Sequence, residues 1–167
     1  MTHRPFLRWP DPRLRRPAAP VAAITDETRA LWDEMIEAMD AMPGYGLAAP
    51  QLGVMQALAV VDCSDTRGQA VRMANPEILH ASGRMRTHEE ASPNLPGVSA
   101  PIERPRAVTV RFLNAEGAVE ERDFVELWAT SVQHQIDHLQ GRMYFDRLSP
   151  LRRRMLLARA GKIGKRA

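Results

Sequence analysis

The sequence predicts an α+β domain, because two segments with helical periodicity enclose a middle region of short strands. Apolar residues recur at three- and four-residue spacings after Thr25 and again after Asp123, whereas the segments between them have the short apolar runs and turn signals of strands. A third, basic helix is expected over about residues 149–163. Because there is no internal repeat, low-complexity tract or linker, residues 1–167 are expected to form a single domain.

The first helix is predicted over about residues 25–42. Thr25 can cap its N terminus, and Asp26 and Glu27 place negative charge in the first turn, where the helix dipole favours it. Pro43 and Gly44 end the helix. Its apolar stripe consists of Leu31, Trp32, Met35, Ile36, Met39 and Met42.

Strands are predicted at residues 58–61, 71–73 and 107–113, with turns at Asn75-Pro76, Ser82-Gly83 and residues 114–117. The second helix is expected to begin near Asp123, which has the spacing of a capping box with Glu126, and to stop at Gly141. Its apolar stripe consists of Trp128, Val132, Ile136 and Leu139.

Composition excludes several classes of protein. Hydrophobic residues make up 44% of the chain and charged residues 26%, which are ordinary globular values. The longest apolar runs, such as residues 57–61, are far too short to cross a bilayer, and the first residues do not have the pattern of a secretory signal. Cys63 has no second cysteine to pair with, which fits a reducing compartment. We therefore expect a cytoplasmic protein with no membrane partner and a half-buried Cys63.

Positive charge is concentrated at the C-terminal end. Eight basic residues occur from Arg147 onward, whereas all twenty acidic residues precede it. Such a segment is typical of contact with phosphate-rich surfaces such as RNA, and equally of a solvated helix that maintains solubility. The eight are Arg147, Arg152, Arg153, Arg154, Arg159, Lys162, Lys165 and Arg166.

The second helix carries two histidines with metal-ligand spacing. His134 and His138 are one turn apart, so both imidazoles can point at one ion. In metallohydrolases with this spacing, the residue after the first histidine is a glutamate that takes a proton from metal-bound water. Here it is Gln135, whose amide cannot act as a base. The pair alone is weak evidence, because histidines also occur on helices for packing or solubility.

Two further segments give the pattern a family resemblance. Residues 44–51 read Gly-Tyr-Gly-Leu-Ala-Ala-Pro-Gln, and residues 89–97 read Glu-Glu-Ala-Ser-Pro-Asn-Leu-Pro-Gly. With the histidine pair, they resemble the three motifs of the peptide deformylase family. Residues 9–15, 75–79 and 145–151 resemble family landmarks in the same order, so the resemblance spans nearly the whole chain.

The resemblance implies mixed or antiparallel sheets around a central helix that carries the histidines, followed by a basic C-terminal helix linked to ribosome contact. It also implies hydrolysis of N-formylmethionyl peptides with one iron or zinc ion. The metal positions become Ser92, His134 and His138. The position of the general base becomes Gln135, and the oxyanion donors become Gln51 and the backbone of Pro93. Gly46 lets backbone approach a ligand closely.

Three of these positions depart from the family pattern. Ser92 replaces a cysteine thiolate, Gln135 replaces the glutamate, and Pro93 has no N–H. We therefore expect no metal or weak divalent binding, and lost or strongly reduced deformylase activity. One alternative is a working amide hydrolase whose missing ligand is supplied by His88, Glu89, Glu90 or Asp137.

The other alternative is a non-catalytic module that binds the ribosome and N-formyl or other peptide N termini. Two further positions have two possible roles each. The acidic pair Glu89 and Glu90 is either this source of ligands or a solvated or salt-bridged strand edge. Arg104 corresponds to a family arginine near the substrate groove, although an ordinary surface arginine would look the same.

Overall fold

Three α-helices and seven strands make up the part of the chain that the structure, a computed structural model, describes: residues 4–166, with side chains to residue 164. In chain order they are α1 (Asp26–Ala41), β1 (Gly46–Ala48), β2 (Leu58–Val61), β3 (Val71–Ala81), β4 (Met85–Ser92), β5 (Leu95–Pro105), β6 (Ala107–Leu113), β7 (Val119–Val125), α2 (Glu126–Leu139) and α3 (Pro150–Arg166). The predicted α+β class is confirmed.

The strands form two antiparallel sheets. Five of them pair in the order β1-β2-β3-β6-β7, and β4 pairs only with β5. β1 therefore has a partner on one side only, where Gly46 lies opposite Val61. β4 likewise has one partner, with Glu90 opposite Ala100. Each sheet thus ends in a strand that has one unpaired edge.

Strand β2 is buried on both faces, which explains why its four residues are all apolar. Successive side chains of a strand point to opposite faces. Ala59 and Val61 belong to one core cluster with residues of α2, whereas Leu58 and Val60 belong to a second cluster with residues of α1. The two helices therefore cover opposite faces of the sheet.

Helix α2 lies inside the molecule. Every residue from 129 to 139 is buried, although its sequence shows only one apolar stripe. Val132 and Ile136 pack in the first cluster against Val61 and Met73. The polar residues on the other sides of the helix, among them both histidines, are therefore buried too and must find partners within the protein.

Helix α1 follows the prediction closely. Thr25 caps it, with the Thr28 N–H donating to the Thr25 hydroxyl and the Thr25 N–H to the Thr28 hydroxyl. Trp32, Met35 and Met39 are fully buried in the second cluster. Propensity, cap and apolar stripe agree at this helix, so its ends are well specified by local sequence.

The predicted start of the second helix is wrong. Asp123 lies on β7, opposite Thr109, whose hydroxyl donates to the Asp123 carboxylate at 2.6 Å. The strand continues because Phe124 is buried against the first cluster. The helix begins at Glu126 instead, after Val125, which provides no side-chain cap.

The turn predicted at Asn75-Pro76 is also wrong. Both residues lie within β3, where the pairing with β6 shifts between Ala74 and Glu77. Asn75 has a φ of 51° at this bulge. Its side chain accepts from the Val21 N–H at 2.8 Å and donates to the Val21 carbonyl at 2.9 Å. The irregularity is therefore a fixed kink in a long strand.

Helix α3 packs on the smaller sheet. Leu156 is buried in a third cluster with Leu95 and Ile102 of β5 and with Phe145. The helix runs from Pro150 to Arg166, slightly beyond the predicted 149–163. Within the described residues, no helix is long and apolar enough to cross a membrane.

Candidate functional site

A cavity of about 430 Å³ lies between the end strands of the two sheets. We call it the cleft. It is lined by residues 42–46, Gln51, residues 88–93, and the α2 residues Leu127, Thr130, Ser131, His134 and Gln135. Its walls thus include β1, β4 and the polar side of the buried helix. Its size is within the range of small-molecule and short-peptide sites.

Both histidines of α2 are buried and face each other. The Nε2 atoms of His134 and His138 are 3.2 Å apart. His134 lines the cleft, whereas His138 lies behind it and is 2% exposed. The pKa of His138 is well below its ordinary value, mainly because the side chain is buried and secondly because His134 is close. The predicted convergence of the two imidazoles is therefore present.

A buried ionic network fixes His134. Its Nδ1 is 2.7 Å from Glu90 Oε1, and the Arg104 guanidinium donates to both oxygens of Glu90 at 2.6 and 2.8 Å. Burial raises the pKa of Glu90, but hydrogen bonds from Arg104 and His134 outweigh it and lower the pKa overall. Glu90 is therefore an ionised carboxylate that orients the imidazole.

The same network holds Asp137, the residue before the second histidine. Arg104 also donates to Asp137 Oδ2 at 2.8 Å, and Arg147 donates to both Asp137 oxygens at 2.7 and 2.8 Å. Arg104 is fully buried, so its interpretation as a surface arginine is wrong. It does not line the cleft but lies behind Glu90, which does. Arg147, predicted as part of the basic tail, joins this network from an exposed position.

Ser92 is engaged with Asn94, a residue that the sequence did not single out. The Ser92 hydroxyl donates to Asn94 Oδ1 at 3.1 Å and accepts from the Asn94 N–H at 3.3 Å. The Gln51 amide donates to the same Asn94 Oδ1 at 2.8 Å, and Gln51 Oε1 accepts from the Ala48 N–H at 2.9 Å. Ser92 and Gln51, both predicted to be functional, are thus joined through one asparagine.

Gln135, unlike Ser92 and Gln51, has a buried atom without a hydrogen-bond partner in the described part of the chain. It is 4% exposed, and its Oε1 atom has no hydrogen-bond partner among the described residues. Its Nε2 lies against Gly46, where a Cβ would be only 2.5 Å from Nε2 and 2.6 Å from Ser131 Oγ. Gly46 is therefore needed to admit these two side chains of the protein itself, and its predicted role in a close approach to a ligand stays a prediction.

The proposed substitute ligands are dispersed. His88 and Glu89 line the cleft from β4, whereas Glu90 and Asp137 are held by arginines. The two members of the acidic pair therefore differ. Glu89 is exposed, whereas Glu90 forms a salt bridge with Arg104, which was one of the two predicted roles of the pair. Within residues 4–166, no three histidine, cysteine, aspartate or glutamate side chains form a group that could hold a metal ion. Pro93 lines the cleft and offers no N–H.

Two imidazoles converging from a buried helix, with a carboxylate behind one of them, are typical of a helix-borne metallohydrolase site. Comparisons with known proteins show which family within this class the chain belongs to. The family model described as polypeptide deformylase matches residues 3–154. The chain belongs to the peptide deformylase family.

Individual relatives agree over the whole chain. The peptide deformylase of Acidobacterium capsulatum is 41% identical over 165 residues, covering 98% of this chain and 96% of the relative. That of Nitrosococcus oceani is 39% identical, covering 94% and 93%. The crystal structure of the Legionella pneumophila peptide deformylase matches with a TM-score of 0.91 at 35% identity, covering 98% of this chain and 96% of that one. The peptide deformylase-like fold is therefore confirmed.

Members of this family are metal-dependent, and the residues present here fit such an ion only in part. Two nitrogen ligands of a tetrahedral ion at 2.0–2.1 Å would be about 3.4 Å apart, close to the 3.2 Å between the two Nε2 atoms. The third position is a neutral hydroxyl that donates to Asn94. A hydroxyl ionises far less readily than a thiol and is a poor ligand when neutral. The donor set as a whole does not fit the ion of an intact member.

Proposed function

We propose that this chain is a pseudoenzyme of the peptide deformylase family, which binds peptide ends in the cleft and has lost most or all N-formylmethionyl-peptide deformylase activity. The hydrogen bond from Ser92 to Asn94 carries the proposal. In this hydrogen bond the Ser92 oxygen keeps its proton and donates it to Asn94. An intact member needs an ionised sulfur at this position.

Stabilisation of an oxyanion is also compromised. One of the two N–H groups of the Gln51 amide is committed to Asn94 Oδ1, and Pro93 has no N–H to donate. Loss of one such donor typically costs about 10²- to 10³-fold in rate. Gln135 cannot take a proton, and loss of a general base typically costs about 10²- to 10⁴-fold. The effects are not additive, but each falls on the same reaction.

Peptide binding is supported by the strand edges at the cleft. β1 is paired only with β2, and β4 only with β5, and both strands line the cleft. Unpaired edges offer backbone N–H and C=O groups to an extended peptide, as in strand addition. This mode of binding requires none of the damaged side chains.

The activity is tested by hydrolysis of N-formyl-Met-Ala-Ser with added Fe²⁺, Co²⁺ or Zn²⁺. We expect turnover at least about 10³-fold below that of an intact relative assayed in parallel. The S92C/Q135E variant, which restores a thiol and a carboxylate, should be faster than wild type. Wild-type turnover within tenfold of the relative, together with one metal ion per chain by elemental analysis, would instead support the working hydrolase.

Peptide binding is tested by calorimetric titration with short extended peptides that carry either a free or an N-formylated first residue. L127W places a bulky ring in the cleft and should weaken binding at least tenfold. L79W adds the same ring at an exposed site on β3, outside the cleft, and should leave binding unchanged. Equal binding by both variants would place the peptide elsewhere and refute the proposal.

A second candidate function is contact with ribosomal RNA through α3. Arg152, Arg154, Arg159 and Lys162 are exposed on this helix and make no salt bridge within the described part of the chain. By contrast, Arg147 and Arg153 are engaged with Asp137 and Asp146. A solvated helix without a partner remains the alternative explanation of this surface.

Co-sedimentation with ribosomes over a range of salt concentrations separates these explanations. If RNA is the partner, binding should weaken steeply with salt, and the triple reversal R152E/R154E/R159E should abolish it. Reversal of Arg111 and Arg122, which are exposed on β6 and β7, is the matched control. Co-sedimentation that is insensitive both to salt and to the α3 reversal would exclude the contact.

A further inference from the structure

We infer that a second set of arginines, outside α3, belongs to the same RNA-binding surface as the cations of α3. The set consists of Arg8, Arg15, Arg16 and Arg142, all exposed, and we call it the arginine cluster. The inference rests on the second candidate function, RNA contact through α3. It adds a binding site on the N-terminal segment of the chain, which the charge pattern of the C-terminal segment does not indicate.

The N-terminal segment carries an excess of positive charge. Residues 4–23 contain five arginines, no lysine and one acidic residue, Asp11. Two of the five arginines form salt bridges, one with Glu34 and one with Asp11. No member of the arginine cluster forms a salt bridge within the residues whose side chains the structure describes. The charges of the cluster are therefore available to an anionic partner.

Packing brings the cluster together from two distant parts of the sequence. Gly141, in the turn after α2, lies against the backbone of the N-terminal segment. A Cβ at Gly141 would be 2.7 Å from the Arg15 carbonyl oxygen and 2.9 Å from the Arg16 carbonyl carbon. Arg142, the next residue along the chain, is therefore a neighbour of Arg15 and Arg16.

Two aromatic rings connect the cluster to α3. The Arg15 guanidinium lies 5.1 Å from the centre of the Trp9 ring, and Trp9 packs edge-on against Phe145 with ring centroids 4.9 Å apart. Arg153 of α3 lies 5.3 Å from the centre of the Phe145 ring. The stacking also restricts the Arg15 side chain, so that less conformational entropy is lost when its guanidinium binds a partner.

A groove of about 610 Å³ lies between the N-terminal segment and α3. Arg8 and Trp9 line it on one side, and small and apolar residues of α3 between Leu157 and Gly164 line it on the other. Arg8 is the only charged residue among the described residues of this lining. A chain of phosphates that crosses the groove would therefore meet cations on both sides and no carboxylate in between.

RNA fits this surface better than an anionic membrane does. The planar guanidinium of arginine matches the geometry of a phosphate and can bind it through two hydrogen bonds. RNA has a phosphate at every nucleotide, so one molecule can reach both the cluster and α3. Proteins that lie on membranes usually also insert apolar side chains. No large apolar side chain within residues 4–23 is exposed.

Fluorescence anisotropy with a short labelled RNA duplex, over a range of salt concentrations, tests the inference. We expect R16E/R142E to weaken binding at least tenfold. It should also lower the slope of log affinity against log salt by about 1–2, because each phosphate contact contributes roughly 0.7–0.9. The control R111E/R122E makes the same change of charge at exposed positions of β6 and β7 and should weaken binding less than threefold. Both cluster substitutions leave the stacked Arg15 in place.

The remaining variants separate the cluster from α3. R16Q/R142Q removes the two charges without reversing them, and it should weaken binding at least threefold even if R16E/R142E does not fold. If only the α3 reversal weakens binding and both cluster variants behave like the control, the inference fails but the α3 contact stands. If neither reversal weakens binding, both fail. Tighter binding of the wild type to phosphatidylglycerol vesicles than to the duplex would also overturn the inference.

Discussion

Gln51 and Gln135 line the same cleft in opposite states of hydrogen bonding. Gln51 accepts from the Ala48 N–H and donates to Asn94, whereas Gln135 Oε1 has no partner within the described residues. Both side chains are at most 4% exposed. The first is therefore part of the scaffold of the site, and the second retains unused capacity for hydrogen bonding.

This difference predicts opposite effects on stability. Q135M should stabilise the free protein by about 1 kcal/mol, because it removes an unsatisfied buried acceptor. Q51M should destabilise it by about 1–3 kcal/mol, because the Ala48 N–H then loses its partner and Asn94 Oδ1 keeps only the Ser92 hydroxyl. Urea unfolding measures both. Y144F is the control, since it removes a second buried atom without a partner, the Tyr144 hydroxyl, away from the cleft lining. A Q135M variant as unstable as Q51M would contradict this account.

Restoring the thiol should restore metal binding. In S92C the thiol would join two imidazoles already spaced for one ion. Loss of an outer-shell partner alone costs about 10- to 100-fold in metal affinity, so regaining a direct ligand should raise affinity by more than that. Titration with Co²⁺ should give a thiolate-to-cobalt absorption band in S92C and none in wild type. S99C, which adds a thiol at an exposed position of β5, should behave like wild type.

The sequence predicted the fold class, and most of the residues it singled out for the site line one cleft, but it did not predict the smaller sheet. α1 was predictable because its cap and apolar stripe are local. Strands β4 and β5 were missed because much of β4 is exposed and polar, so its structure depends on pairing with β5 rather than on its own pattern. β7 was missed because it is a charged strand with little apolar pattern of its own. The spacing of Asp123 and Glu126 matched a capping box by chance and was interpreted as the start of a helix.

Within the site, long-range contacts were the part that the sequence could not show. Asn94 matters because its side chain donates to the backbone carbonyl of Leu7, 87 residues away, and bonds with Gln51, 43 residues away. Arg104 is buried because two carboxylates from β4 and α2 meet it. No local pattern encodes these long-range contacts, because Glu90, Arg104 and Asp137 are 14 and 33 residues apart in the sequence.

The buried ionic network should be costly to break. R104L leaves Glu90 buried with only His134 as a partner, and we expect a loss of about 3–5 kcal/mol in the free energy of unfolding. The R104L/E90L double variant should lose less than R104L, because it removes both buried charges. R111L breaks the exposed pair with Glu121 and should cost less than about 1 kcal/mol. Equal losses from R104L and R111L, measured by urea unfolding, would show that the network is not buried as described.

Asp62 should make the protein sensitive to acid. Burial raises the pKa of this carboxyl, but donation from the Ser64 hydroxyl at 2.5 Å, the Ser64 N–H at 2.9 Å and the Gln69 N–H at 3.0 Å lowers the pKa overall. A lowered folded pKa gives stability that is present above the unfolded pKa, about 3.9, and lost as the pH falls through the folded value. The stability difference between wild type and D62N should therefore be largest near neutral pH and shrink as the pH falls below about 4. Urea unfolding at pH 7, 5, 4 and 3 measures it, with D65N at the exposed neighbouring aspartate as the control. A difference that is constant over this range would show that the Asp62 charge does not stabilise the loop.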